Sequence, residues 1–337
     1  MPQRFIHVIA VIALSMFLAP MAVSAQRFQG MEALKDVPEV YRWQVASSLR
    51  VAGDHRGELI RALKEVPEAH RRAMAFLIAN MPERDARVLS ADFLLDTVEY
   101  AYKAREGTPW GKAIPEEVFF NYVLPYANIN EERDPWRKEF YEAFLPIALQ
   151  ADDMGQVVER LNHEAFDLYG VKYHPTKRPK PDQSPRETIE AGYASCTGLS
   201  VMLIDACRAV GIPARFAGKP SWTTARGNHS WVEAWDGQWN FIGACEGGDL
   251  DKTWFFERAR KADPDKLMHR IYASSFQDTG TWFPLVWNLK LRYVNAIDVT
   301  PFYTHRRAVK IEVAPSVVGN GGPAWVTVHN HGWIVAY

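Results

Sequence analysis

Cys196 stands at the head of an apolar run, Ser195 to Val210, that reads as a helix. A helix N-terminus presents unpaired backbone N–H groups and the positive end of the helix dipole, which favour thiolate over thiol. Some thirty residues later His229 opens Ser230-Trp231-Val232-Glu233-Ala234-Trp235, a strand pattern. A histidine on a neighbouring strand can take the thiol proton and return it to a leaving amine, the division of labour in cysteine acyl transfer. The pattern therefore predicts a cysteine activated by its helix before any base is counted, with the Cys196 backbone N–H as one oxyanion donor.

The elements around these two residues carry a resemblance. Gly192-Tyr193-Ala194-Ser195-Cys196 is followed by Arg208-Ala209-Val210-Gly211-Ile212-Pro213-Ala214-Arg215, then by the His229 to Trp235 strand and the Asp236-Gly237-Gln238-Trp239 turn. In this order and at these distances, Ser184 to about Arg260 resembles a transglutaminase-like domain of the papain-type cysteine superfamily, exported bacterial type. That group includes transglutaminases, peptide N-glycanases and many bacterial cysteine peptidases. The resemblance implies an α+β core in which the cysteine helix packs on an antiparallel sheet carrying the histidine. Members usually place an aspartate four positions beyond the tryptophan equivalent to Trp239, to orient the histidine; Gly243 stands there in this chain.

Strand geometry offers a substitute for that carboxylate. A two-residue type I′ turn at Asp236-Gly237 would pair Trp235 with Gln238 and set His229 opposite Ala244. Glu246 would then share a face with His229 at the diagonal position, and Val232, Ala234, Trp239 and Phe241 would share the other face. A three-residue turn would shift the register by one and set Cys245 opposite His229 instead. Glu246 is the favoured orienting group, with Asp249, Asn228 or no carboxylate as alternatives.

The 337 residues, 47% hydrophobic and 12% aromatic, can bury sizeable cores. Residues 1–25 read as a secretory signal: Arg4, an apolar Ile6 to Leu18 stretch, and Val23-Ser24-Ala25 before Gln26. Its apolar run is short for a span, so no stable membrane insertion is expected after cleavage, and a secreted or periplasmic location follows. Cleavage deletes one arginine and takes the formal charge from -1 to -2. Nothing there points to nucleic acid. Three cysteines is an odd count for an exported chain and suits a free nucleophile. Cys207 lies about 16 Å along the helix from Cys196 and cannot bridge to it; it reads as a small buried hydrophobe. A Cys196–Cys245 bridge would be a redox off-state.

Residues 26–172 form a helical region, with Ser90 and Asp134-Pro135 as helix starts. The catalytic core spans 173–265 and opens on a linker, Tyr173 to Ser184, rich in proline and lysine; 266–337 read as a β-rich C-terminal unit. His329 and His331 alternate on its last strand without a metal-site pattern, and no cofactor or metal is called for. The fold expected is therefore α+β: a transglutaminase-like core, an N-terminal helical region and a small C-terminal β unit. The function expected is cleavage or transfer of a carboxamide or peptide bond through an acyl-thioester on Cys196, with protein or peptide substrates. Trp222, Trp231 and Trp235 are candidates to line an acyl channel. The alternatives are an inactive fold used as a binding module, favoured by Gly243, or a peptide N-glycanase-like amidase; intact Cys196 and His229 count against the first.

Overall fold

The computed structural model describes Glu32 and residues 34–304. The signal segment, the strand patterns after His305 and the pair His329 and His331 lie outside the described residues. Among the described residues, seven helices of seven residues or more fill most of the chain before the linker: Glu39–Val51, Arg56–Glu65, Arg71–Asn80, Ala91–Gly107, Glu116–Tyr122, Trp136–Ala148 and Met154–Tyr169. Their ends are set locally. Ser90 caps the fourth by accepting from the Phe93 N–H, and Asp153 caps the last by accepting from the Gln156 N–H. Gly170, at φ 64°, closes that last helix in the left-handed conformation that a glycine adopts freely. Asp134 does not cap as expected; the Trp136–Ala148 helix has no side-chain cap, and Asp134 instead accepts from the Arg186 N–H.

The helix Pro185–Ala191 starts with a capping box between Ser184 and Glu187 and ends at Gly192. The chain then makes strand β2 (Tyr193–Ala194), which pairs in parallel with β1 (Lys172–Tyr173), and enters the helix Cys196–Ala209. Every residue of that helix from Thr197 to Ala209 is buried. A helix apolar on all sides must be enclosed. It packs against Trp136–Ala148 and Met154–Tyr169 on one side and against the sheet on the other.

The sheet runs β5-β4-β3-β6-β7, all antiparallel: Trp239–Ile242, His229–Trp235, Ala214–Lys219, Tyr272–Ser275 and Asn295–Asp298. The sheet therefore crosses the boundary expected at residue 265. β6 and β7, read in the sequence as part of a separate unit, extend the core sheet.

The β4–β5 register also differs from the expected one. Trp235 pairs with Trp239 across a three-residue turn, Asp236 to Gln238. The reason is tertiary: the Arg215 guanidinium stands 3.7 Å over the Trp239 ring, and Tyr122 meets that ring edge-on at 4.8 Å. Val232, Ala234 and Ile242 consequently pack toward the Cys196–Ala209 helix, while Trp231 and Phe241 join Phe255 and Tyr303 in a second apolar layer on the opposite face. Trp239 and Phe241 thus leave the layer assigned to them with Val232 and Ala234. Glu233 is buried in the second layer, where it accepts from Arg215 Nε at 2.7 Å and from the Tyr303 hydroxyl at 2.6 Å.

Cys207 is fully buried, and burial pushes its thiol up to about 12. Cys207→Ala is expected to cost on the order of 1 kcal/mol in denaturant unfolding while leaving alkylation of Cys196 unchanged. Loss of that alkylation would mean that the reactive thiol has been misassigned.

Candidate active site

Cys196 is the first residue of its helix, and the preceding Ser195 makes no side-chain cap. The first N–H groups of the helix are thus left open toward the thiol. Cys196 is partly exposed as a residue, but its thiol is enclosed, among the backbone N–H groups of Ser230 and Thr197 and their hydroxyls, which are 3.3 Å apart. Ser230 directly follows His229 in β4, where successive side chains leave on opposite faces: Ser230 meets the thiol, and the imidazole packs on Trp231 and Phe255 of the second layer.

His229 sits in an aromatic enclosure. Its ring centroid lies 4.9 Å from Phe255, 5.0 Å from Trp254, 5.9 Å from Trp231 and 6.2 Å from Trp222, the last stacked at 29°. Burial, helped by the positive Arg258, lowers the imidazole to about 4. Its Nε2 has no hydrogen-bond partner, and the nearest acidic group is Glu246, with Oε1 at 3.7 Å. The Glu246 carboxyl is itself raised by burial, an effect opposed by a hydrogen bond from the Trp254 side chain.

Glu246 therefore faces the imidazole, although the register argument that pointed to it does not hold. With Trp235 opposite Trp239, a continued ladder would bring Cys245 opposite His229. The ladder stops at Ile242 instead, Cys245 turns through φ 62°, and the Glu246 N–H reaches back to the Gly243 carbonyl at 3.4 Å. Of the alternatives, Asp249 is engaged with Lys252 at 2.6 Å on the surface, and Asn228 is exposed on the loop before β4.

The three tryptophans divide. Trp222 is buried and stacks on His229. Trp231 is fully buried with its indole N–H donated to the Tyr303 hydroxyl, which makes it a core residue and removes it from any channel open to substrate. Trp235 lies six residues along β4 from His229, about 20 Å away at 3.3 Å per residue, and is not beside the reacting pair. Sequence reasoning missed Trp254, 56% exposed and in contact with both His229 and Glu246, and Tyr173, 56% exposed and within electrostatic range of Cys196 and Glu246. Trp254 lies in irregular chain after β5 and has no periodicity to flag it; Tyr173 begins the predicted core.

The thiol differs from its expected state. Burial outweighs the N–H donors and pushes Cys196 above its ordinary value, so the resting pair is a neutral thiol and a neutral imidazole. Because thiolate grows as pH rises toward that elevated value, iodoacetamide alkylation of Cys196 is expected to accelerate steadily from pH 6 to 9, by about tenfold per pH unit. A rate already level from about pH 5 would show a preformed thiolate–imidazolium pair instead.

Residues 147–244 match the family model of the transglutaminase-like superfamily. The chain carries a transglutaminase-like domain. The match begins within the Trp136–Ala148 helix and takes in Met154–Tyr169, so the last helices before the linker belong to this domain. A candidate cysteine protease of known crystal structure from Cytophaga hutchinsonii is 20% identical, with a TM-score of 0.28, over 33% of this chain and 38% of that one. The chain thus spans well under half of that relative. No curated protein matches the chain. The fold is of mixed helix and sheet, with the helical region N-terminal to the sheet.

Proposed function

We propose that the protein is an exported cysteine enzyme that cleaves or transfers a carboxamide or peptide bond through an acyl-thioester on Cys196. One observation supports this above others. A thiol at an uncapped helix N-terminus lies beside the strand that carries an imidazole, and the imidazole faces a carboxylate at 3.7 Å. With Nε2 turned to Glu246, Nδ1 is the nitrogen left to exchange a proton with the thiol. Nδ1 takes that proton as sulfur bonds to the carbonyl carbon, and the Cys196 backbone N–H stabilises the developing oxyanion. The imidazolium then protonates the departing amine as the carbon–nitrogen bond breaks, which leaves the thioester. Water or a second amine resolves it.

Protein or peptide substrates fit this chemistry, with the exposed Tyr173 and Trp254 beside the thiol and imidazole. Export rests on residues 1–25, and secretion should yield a mature chain beginning at Gln26. Among the described residues no helix is long and apolar enough to cross a membrane.

The test combines iodoacetamide labelling at pH 8.5, located by peptide mass spectrometry, with turnover of a panel of glutamine and peptide amide reporters. One adduct at Cys196 and release of amine from at least one reporter are expected. A wild-type protein that shows neither would support the binding-module reading.

A further inference from the structure

Glu246 occupies space that belongs to another residue. A Cβ built on Gly243 would lie 2.0 Å from Glu246 Oε2 and 2.4 Å from its carboxyl carbon. Gly243 is not among the glycines at positive φ, so its backbone conformation could be held by other residues. What position 243 demands is room. The turn that brings Glu246 into that room is held from a distance: Asn162, 1% exposed on the Met154–Tyr169 helix, donates Nδ2–H to the Gly243 carbonyl at 3.0 Å and accepts the Cys245 N–H at 2.8 Å. One buried amide thus clamps both ends of the stretch where the chain leaves the β4 ladder and where Cys245 takes its left-handed conformation.

We propose that Gly243 and Asn162 are positioning residues for the imidazole's carboxylate: Gly243 leaves open the space that the Glu246 carboxyl fills, and Asn162 locks the reversal that turns Glu246 into it. This rests on the reading of Cys196 and His229 as the reacting pair. The carboxylate is delivered by a long side chain folding back, where an aspartate on the strand itself could have supplied it. An aspartate at 243 would carry its carboxyl carbon about 1.5 Å beyond Cβ, within the volume that the Glu246 carboxyl now fills. The arrangement also makes the last helix of the N-terminal region part of the site's support.

Gly243→Ala separates this proposal from a structural role, because the clash falls on the far end of a flexible side chain. Glu246 can swing away at little cost in stability but can no longer face His229. The expected result is a fall in kcat of about tenfold or more with KM within about twofold and the melting temperature nearly unchanged. In a Glu246→Gln background the same substitution should add nothing, since the group it displaces has lost its charge. Glu246→Ala combined with Gly243→Asp should recover at least about tenfold over Glu246→Ala alone. Asn162→Ala is expected to lower both kcat and thermal stability.

The imidazole itself gives a readout independent of turnover. Its nitrogen chemical shifts at neutral pH, followed by NMR in the uniformly labelled full chain, should move in the same sense and by the same amount in Gly243→Ala, Asn162→Ala and Glu246→Gln, because each takes the carboxylate away from Nε2. Absence of reporter turnover with this common displacement would sink the enzymatic reading and leave the positioning intact. Wild-type kcat and imidazole shifts in Gly243→Ala, or effects of Gly243→Ala and Glu246→Gln that multiply, would overturn the role of Gly243. Imidazole shifts unmoved in Asn162→Ala would overturn the role of Asn162.

Discussion

Cys196→Ser is expected to abolish alkylation at this position and to lower turnover by at least about 10³-fold, with no change in fold. The substitution exchanges sulfur for oxygen at one atom, so packing is nearly conserved and the melting temperature should hold. The chemistry is not conserved. An alcohol is a far weaker acid than a thiol, and an imidazole lowered to about 4 is a weak base with little power to remove its proton. A thiol pushed up by burial can still be deprotonated as attack proceeds; a hydroxyl in the same enclosure cannot. Initial rates on the amide reporters, with circular dichroism to verify the fold, decide it. Retention of more than about a tenth of wild-type turnover would reject Cys196 as the nucleophile.

The parts of this site that were legible in the sequence are those set by local rules. The Cys196 helix announces itself by apolar composition, the His229 strand by its β-forming residues, and the fourth helix by its Ser90 cap. Where distant residues decide, the sequence misleads. Asp236-Gly237 favours a two-residue turn, yet Trp239 is held opposite Trp235 by Arg215 and Tyr122, neither of them near in sequence. Glu246 reaches His229 because Asn162, 83 residues before Cys245, reverses the chain. A local argument thus named the right residue through a register that does not exist. The state of the thiol shows the same division: the helix terminus is a local feature and can be read, whereas the burial that outweighs it depends on the whole fold. Likewise the sequence points to a β-rich stretch after residue 265 but not to β6 and β7 themselves or to their place in the core sheet, because β6 joins β3 across more than fifty residues and β7 in turn pairs with β6.

Glu246→Gln should lower kcat by about 10²-fold with little change in KM, by analogy with the dependence of catalytic triads on their orienting carboxylate. Glutamine matches glutamate in shape and keeps an acceptor for the Trp254 side chain, so the turn and its packing persist. What disappears is the negative charge 3.7 Å from Nε2, which favours the imidazolium formed when the thiol gives up its proton. The pH dependence carries a second signature. On the acid side, wild-type activity is lost both as His229 protonates and as Glu246, raised above the usual carboxylate range by burial, takes a proton. In the glutamine variant only the histidine is left to titrate, so the acid limb of log(kcat/KM) should relax from a slope of about two toward about one. Asp249→Asn, at a carboxylate already engaged by Lys252 on the surface, should leave both rate and slope unchanged. An unchanged kcat and acid limb in Glu246→Gln would retire the carboxylate and leave Cys196 and His229 to act as a dyad.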